Sequence, residues 1–123
     1  MVQGVSWIGV RAEEVTALSG FFEDVLGLRL ALKKNDFHVF DAPNGDRVEV
    51  FGPRGPQPGY QFQTNSVMVG FSVSDLDTSR ARLVAAGVEL LGDPERRSSW
   101  QHFRGPDGLV YELNERKRPP MAI

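Results

Sequence analysis

PNGDRVEV at residues 43–50 recurs as PDGLVYEL at residues 106–113, so a turn and the strand after it occur twice in this chain. The offset is 63 residues, and it matches Glu49 with Glu112. Earlier segments repeat at offsets of 60 and 61, namely GLRL at 27–30 with GVEL at 87–90 and IGV at 8–10 with VGF at 69–71. An internal repeat changes the whole fold assignment. This one predicts two structural units of about 60 residues each.

A segment rich in proline and glycine separates the two copies. Residues 52–59 read GPRGPQPG, and prolines lack the amide hydrogen that a sheet needs, while glycines favour turns. We therefore expect a single domain of two modules at about residues 4–52 and 66–115, with a linker at about 53–65. The basic run in the tail at 116–123 is expected to be solvated rather than a targeting signal.

Each module has the same internal order of one strand, one helix and three further strands. The predicted strands cover residues 5–12, 28–33, 36–41 and 46–51 in module one, and 67–73, 88–91, 99–104 and 109–114 in module two. These segments are β-branched and apolar and are bounded by turn residues. Because one such unit buries little core by itself, the two modules must pack together or share a sheet.

The helices have recognisable starts and stops. In module one, apolar residues at helical spacing run from Val15 to Val25, and Gly27 follows as a stop. In module two, Ser74 opens a loose capping signal and Gly87 ends the helix. The sequence thus predicts two βαβββ modules of the α+β class.

Composition excludes several classes of function. A formal net charge of -2 and a pI near 5.6 provide no basic surface for nucleic acid. The absence of cysteine excludes disulfides and thiolate metal sites. No segment approaches the roughly 18 apolar residues of a membrane span, and the N-terminus has no signal-peptide pattern. We therefore expect a cytoplasmic protein with neither nucleic acid nor membrane as partner.

The opening strand and helix and the closing turn and strand carry a family resemblance. Residues 8–28, from IGV to FFEDVLGL, and residues 103–113, FRGPDGLVYEL, resemble the vicinal oxygen chelate superfamily of glyoxalases, bleomycin-resistance proteins and extradiol dioxygenases. The resemblance implies two four-stranded sheets, curved and mixed, that form a cup with helices on the convex side. It also implies that a ligand binds on the concave side and that a second chain often completes the cup.

The resemblance also bears on metal binding. Metal-dependent members carry His or Gln in the first strand of each unit and Glu in the last strand. Glu49 and Glu112 match the last-strand positions, whereas Trp7 and Met68 stand at the first-strand positions. An indole N–H only donates, and a thioether is a soft ligand. We therefore expect no cofactor and no catalytic metal. The alternative is a divalent metal on the two glutamates, with His102 as an acid–base group like that of the extradiol dioxygenases.

Alternation along the strands predicts which side chains line the cup. If the two last-strand glutamates point inward, every second residue of the neighbouring strands does so too. His102 then lies opposite Glu112, as a pair able to move protons or bind a polar group. The predicted ligand-binding residues are Trp7, Arg11, Glu49, Met68, Trp100, His102 and Glu112. The plain alternatives are core filling by the apolar members and an ordinary structural hydrogen bond for the pair.

Three functions are consistent with this sequence. The first is a metal-free, bleomycin-resistance-like protein that binds a small aromatic or amphipathic molecule in the cup of a homodimer, because open sheet edges favour pairing. The second is a lyase, isomerase or dioxygenase-like enzyme that uses Glu49 and Glu112, with His102 as acid or base. The third is a structural or regulatory partner-binding module that kept the fold and lost the chemistry. His38 is expected at the surface or the edge of the core, without a functional role.

Overall fold

The computed structural model describes residues 1–93, 95–96 and 98–115, so the predicted tail lies outside the described residues. Within these residues, eight strands and two helices follow the predicted order. They are β1 Val2–Arg11, α1 Val15–Gly20, β2 Arg29–Lys34, β3 Phe37–Asp41, β4 Arg47–Phe51, β5 Val67–Val73, α2 Leu76–Ala85, β6 Glu89–Leu91, β7 Trp100–Arg104 and β8 Val110–Asn114. The α+β class and the two βαβββ modules are confirmed. No helix in this part of the chain is long and apolar enough to cross a membrane.

All eight strands belong to one mixed sheet. Its order is β2-β3-β4-β1-β5-β8-β7-β6. Strand β1 runs parallel to β4 and β5 parallel to β8, while β1 and β5 pair antiparallel and join the two modules. The resemblance implied two four-stranded sheets; the modules instead share one sheet, because β1 bonds β4 on one side and β5 on the other.

Both helices cover the same kind of sheet surface, the apolar positions that alternate with the predicted cup residues. From α1, Val15 packs with Phe40 and Val50. From α2, Leu76 packs in a second cluster with Val73 and Leu113. These clusters lie on the helix side of the sheet and leave the residues of opposite alternation for the other face.

The glycine stops of both helices are confirmed. Gly27 and Gly87 have φ angles of 71° and 77°, a backbone region that side chains with a Cβ atom rarely adopt. The amide that follows each glycine returns to the helix, as the Leu28 N–H does to the Phe22 carbonyl at 3.0 Å. This geometry is the usual way to end a helix and satisfy its last carbonyls.

Two details of the helix prediction are wrong. A π-helical turn, Phe21–Val25, follows α1, and its wider winding carries Val25 off the apolar stripe, so that this residue is 68% exposed. In module two the cap is Asp75 rather than Ser74. Its carboxylate accepts the Thr78 N–H at 3.0 Å, because Asp75 directly precedes the first helical residue and is an equally good cap.

On the face of the sheet away from the helices, the Trp7 indole lies at the centre. Trp7 on β1 is 5% exposed and packs with Phe51 and Met68. Its indole occupies the space that side chains at Gly9 and Gly70 would need; a Cβ at Gly70 would lie 3.0 Å from two Trp7 carbons. The glycines of the repeated strand therefore allow the indole to lie flat across β1 and β5.

This packing predicts the effect of a methyl group beneath the ring. In Gly9→Ala the new Cβ would collide with the Trp7 ring, and overpacking of this kind costs about 1–3 kcal/mol. We expect denaturant unfolding to show that loss of stability. Gly59→Ala is the matched control, because nothing lies within 4 Å of its Cβ position. Equal stability of the two variants would contradict the placement of the indole.

Candidate functional site

A cavity of about 480 Å³ opens on the face of the sheet away from the helices. Both modules and the linker contribute to its walls, so residues from all parts of one chain line it. Its lining comprises Trp7, Phe37, Arg47, Glu49, Phe51, Pro56, Pro58, Gln61, Ser99, Trp100, His102, Glu112, Asn114 and Glu115. The sheet brings these residues together because β4 and β8, which are far apart in sequence, flank the central pair β1 and β5.

The structure brings five of the seven predicted ligand-binding residues to this cavity, namely Trp7, Glu49, Trp100, His102 and Glu112. Their role in binding stays a prediction. Trp100 is 46% exposed, so its indole is the most accessible of the aromatic groups at the cavity. Trp7, almost wholly buried, belongs both to the cavity wall and to the core beneath it.

The other two predicted residues do not reach the cavity. Met68 is fully buried and packs with Trp7, because the indole covers the glycine positions beside it and closes this part of the sheet to solvent. Arg11 lies at the end of β1. Its guanidinium donates to the Ala12 carbonyl at 2.9 Å and pairs with Glu13 at 3.3 Å. Strand alternation predicts a face, but not which side chains another side chain covers.

A chain of hydrogen bonds crosses the wall of the cavity at His102. Its Nε2 lies 3.1 Å from Glu112 Oε1, and its Nδ1 lies 2.7 Å from the Tyr60 hydroxyl. The amide of Asn114 donates to Glu112 Oε2 at 3.2 Å, and the Ser6 hydroxyl donates to the Asn114 carbonyl oxygen at 3.1 Å. Four of these five side chains are buried, and Tyr60 is partly buried.

One arrangement of protons satisfies the whole chain. An ionised Glu112 accepts on both oxygens, a neutral His102 donates through Nε2, and its Nδ1 accepts the Tyr60 O–H. This order matters because a buried polar group without a partner costs about 1–3 kcal/mol. The imidazole is therefore held in one orientation, with the carboxylate and the phenol on opposite sides.

Tyr60 is the residue that sequence reasoning missed. It lies in the linker, where the sequence has no strand or helix periodicity and predicts only a connection. Burial raises the pKa of its phenol, and the negative charge of Glu112 raises it further, so the protonated form that donates to His102 is favoured. Asn114 was findable, since it lies two residues after Glu112 on the same face of β8.

The module-one side of the cavity has a different polar pair. Arg47 on β4 donates through Nε to Asp41 on β3 at 2.8 Å, and the two residues are register partners. This hydrogen bond, against a smaller opposing effect of burial, raises the pKa of the guanidinium, and the charge of Glu49 adds to the effect. Glu49 thus lies in the field of a permanently charged neighbour, whereas Glu112 is bonded by neutral donors.

The donor groups do not fit the metal site that the family resemblance implies. Trp7 and Met68 stand where metal-dependent members have ligands, and neither side chain supplies a hard donor. Both Glu112 oxygens already accept hydrogen bonds from His102 and Asn114. In the described part of the chain, no group of three or more His, Cys, Asp or Glu side chains is arranged to hold a metal ion.

His38 lies in a separate place and is more buried than expected, at 7% exposure. Its Nδ1 lies 2.6 Å from the Ser19 hydroxyl on α1. Burial lowers the pKa of this imidazole, and the charge of Lys33 lowers it further, against opposing effects of Asp36 and Glu23. The side chain therefore acts as a neutral partner that fastens α1 to β3, away from the cavity.

Comparison with known proteins identifies the fold family. A sequence model described as the Glyoxalase/Bleomycin resistance protein/Dioxygenase superfamily matches residues 4–113. No curated protein matches the sequence significantly.

Similar solved structures include methylmalonyl-CoA epimerase from Mycobacterium tuberculosis, at 21% identity and a TM-score of 0.71, covering 92% of this chain and 87% of that one. A methylmalonyl-CoA epimerase from Streptomyces coelicolor has 19% identity, a TM-score of 0.67 and coverage of 92% and 96%. A superfamily member from Vibrio splendidus has 18% identity, a TM-score of 0.58 and coverage of 92% and 97%. At these identities the structures demonstrate a shared fold. Since the sequence match spans nearly the whole of both modules, the chain belongs to the glyoxalase/bleomycin resistance protein/dioxygenase superfamily.

Proposed function

We propose that this protein binds a small aromatic or amphipathic molecule in its single-chain cavity, without a catalytic metal. The observation that carries the proposal is the cavity itself, at about 480 Å³. Small-molecule sites are typically about 300–1,000 Å³, mostly apolar, with a few polar groups that orient the ligand. Here the aromatic part consists of Trp7, Phe37, Phe51 and Trp100, and the polar part is concentrated around His102, Glu112 and Glu49.

Trp100 is the residue on which a bound ring would gain most. Trp100 is 46% exposed and lines the cavity, so a ligand can bury part of its surface, whereas Trp7 has little surface left to bury. The strand that holds Trp100 is fastened from behind by Arg80 on α2, which donates to the Gln101 side chain at 2.9 Å and to the Trp100 carbonyl at 3.4 Å. A prepositioned ring loses little entropy on binding.

The binding proposal predicts that truncating the accessible indole weakens ligands. Stacking and burial of one ring contribute about 1–3 kcal/mol, so hits from a library of monocyclic aromatic compounds should bind Trp100→Ala about 5- to 150-fold more weakly. Trp7 then remains as the only tryptophan reporter for fluorescence quenching. The control is Phe21→Ala, because Phe21 is equally exposed at 47% but lies outside the cavity. Hits that bind Trp100→Ala as tightly as the unchanged protein would contradict the proposal.

The metal-free part of the proposal has its own test. Because the first-strand positions carry Trp7 and Met68, we expect elemental analysis of protein purified without chelator to find no stoichiometric divalent metal. Two carboxylates without further ligands bind such ions weakly. One tightly held Zn, Mn, Fe or Ni per chain, lost in Glu49→Ala or Glu112→Ala, would support the metalloenzyme alternative instead.

A second candidate function is acid–base catalysis on the bound molecule. The observation that favours it is the imidazole of His102, which lines the cavity while it is bonded to a carboxylate and a phenol. If the Tyr60 hydroxyl turns away from Nδ1, that nitrogen can accept a proton from a ligand, and the Glu112 carboxylate stabilises the imidazolium that forms. The epimerases among the similar structures name a reaction class, isomerisation, that is compatible with this chemistry.

The hydrogen-bonded chain predicts how Tyr60 titrates. In a Tyr111→Phe background it is the only tyrosine, and its phenol should ionise above pH 10 because burial and Glu112 both raise its pKa. The protonated phenol stabilises the fold fully below pH 10, and that contribution is lost as pH rises through the higher folded pKa. Absorbance titration checks the shift, and Glu112→Gln should reduce it. A phenol that titrates at or below pH 10 would contradict the buried, hydrogen-bonded position of Tyr60. The observation that favours proton transfer, His102 held between Tyr60 and Glu112, would then be lost.

A further inference from the structure

The charges around the cavity are unequal. Its described lining includes three carboxylates, Glu49, Glu112 and Glu115, against one guanidinium, Arg47, for a net charge of -2 with His102 neutral. The guanidinium is shared with Asp41 at the back of the wall. Glu115 is partly compensated, because its carboxylate accepts the Leu76 N–H at the start of α2. The remaining acidic groups are Glu112 and Glu49, the second of which lies in the field of Arg47.

Glu112 is the more informative of these two. It is 7% exposed, and within the described residues its hydrogen-bond partners are the neutral Asn114 amide and His102. None of the ion pairs in this part of the chain joins it to Lys or Arg. A carboxylate buried among neutral hydrogen-bond donors is stabilised further when a positive charge comes close to it. A ligand with a positive group would supply that charge at the cavity surface.

The apolar walls favour the same kind of ligand. The faces of aromatic rings attract cations, most strongly for tryptophan, when the positive group lies within about 6 Å of the ring centre. Trp7, Trp100, Phe37 and Phe51 all line this cavity together with the carboxylates. Aromatic faces beside carboxylates distinguish an organic cation both from a neutral ring and from an anion.

We propose that the ligand of this cavity is an organic cation, an aromatic or amphipathic molecule with an ammonium or similar positive group directed towards Glu112 and Glu49. The inference rests on the proposed binding function and specifies its ligand class. It also separates this chain from the epimerases of similar fold, whose named ligands are derivatives of coenzyme A, a polyphosphate anion. An anionic ligand of that kind would meet the carboxylates of this cavity unfavourably.

Three probes of nearly equal shape test the inference. Phenyltrimethylammonium, tert-butylbenzene and benzenesulfonate each carry a tetrahedral group on one phenyl ring and differ in charge. We expect calorimetry or ligand-observed NMR to find the cation bound about tenfold more tightly than the neutral probe, and the sulfonate more weakly than both. Added salt should weaken the binding of the cation and leave the neutral probe unaffected.

Matched variants assign the preference to the cavity. Glu49→Gln and Glu112→Gln should each reduce the advantage of the cation over tert-butylbenzene. Glu89→Gln, a change at an exposed residue of β6 outside the lining, should leave that advantage unaltered. Glu112→Gln also disturbs a buried hydrogen bond. If the Glu112→Gln protein unfolds, Glu49→Gln still decides the test.

The outcomes separate the two proposals. Binding of the neutral probe or of the sulfonate at least as tight as that of the cation would overturn the charge inference and leave the binding function standing. No binding of any probe would count against both. A cation preference that persists unchanged in Glu49→Gln and Glu112→Gln would also overturn the inference, since the selectivity would then arise elsewhere.

Discussion

The antiparallel pairing of β1 with β5 determines where the rest of the molecule lies. It joins the two modules of the repeat, which the linker separates in the sequence, and it places Trp7 opposite Gly70. Because β1 also pairs with β4, and β5 with β8, the last strands of the two modules flank this central pair. Glu49 and Glu112 therefore face one cavity only if this register holds. A shift of this pairing by one residue would place the two carboxylates on opposite faces of the sheet.

Much of this arrangement could be predicted from the sequence, because a duplicated pattern of alternating residues specifies both strands and faces. The repeat located the strands to within a few residues, and alternation placed Trp100 and His102 on the side of Glu112. Alternation does not predict how much of a residue the neighbouring side chains will cover. Met68 faces the predicted way but lies under an indole that only glycine neighbours permit. Tyr60 escaped prediction because the linker has no period, and its position depends on tertiary contacts alone.

The site shows that a shared fold does not determine the chemistry of each member. In this chain Trp7 and Met68 stand where the family resemblance implies first-strand metal ligands. Glu112, in the last strand of module two, is hydrogen-bonded to the His102 imidazole and the Asn114 amide. The carboxylates thus become part of a polar wall in which His102 is held by Tyr60 on one side and Glu112 on the other. Such a wall can orient a ligand, and it can exchange a proton with one.

The claim that one chain builds the whole cavity is tested most directly by isotope-filtered NMR on a mixture of labelled and unlabelled protein. The account predicts strong nuclear Overhauser effects between the Trp7 ring and the Gly70 α-protons in uniformly labelled protein, since β1 and β5 pair within the chain. In the mixed sample the filtered spectrum should contain none of them. The appearance of these cross-peaks between labelled and unlabelled chains would show that the modules exchange between molecules, and would contradict a cavity formed by a single chain.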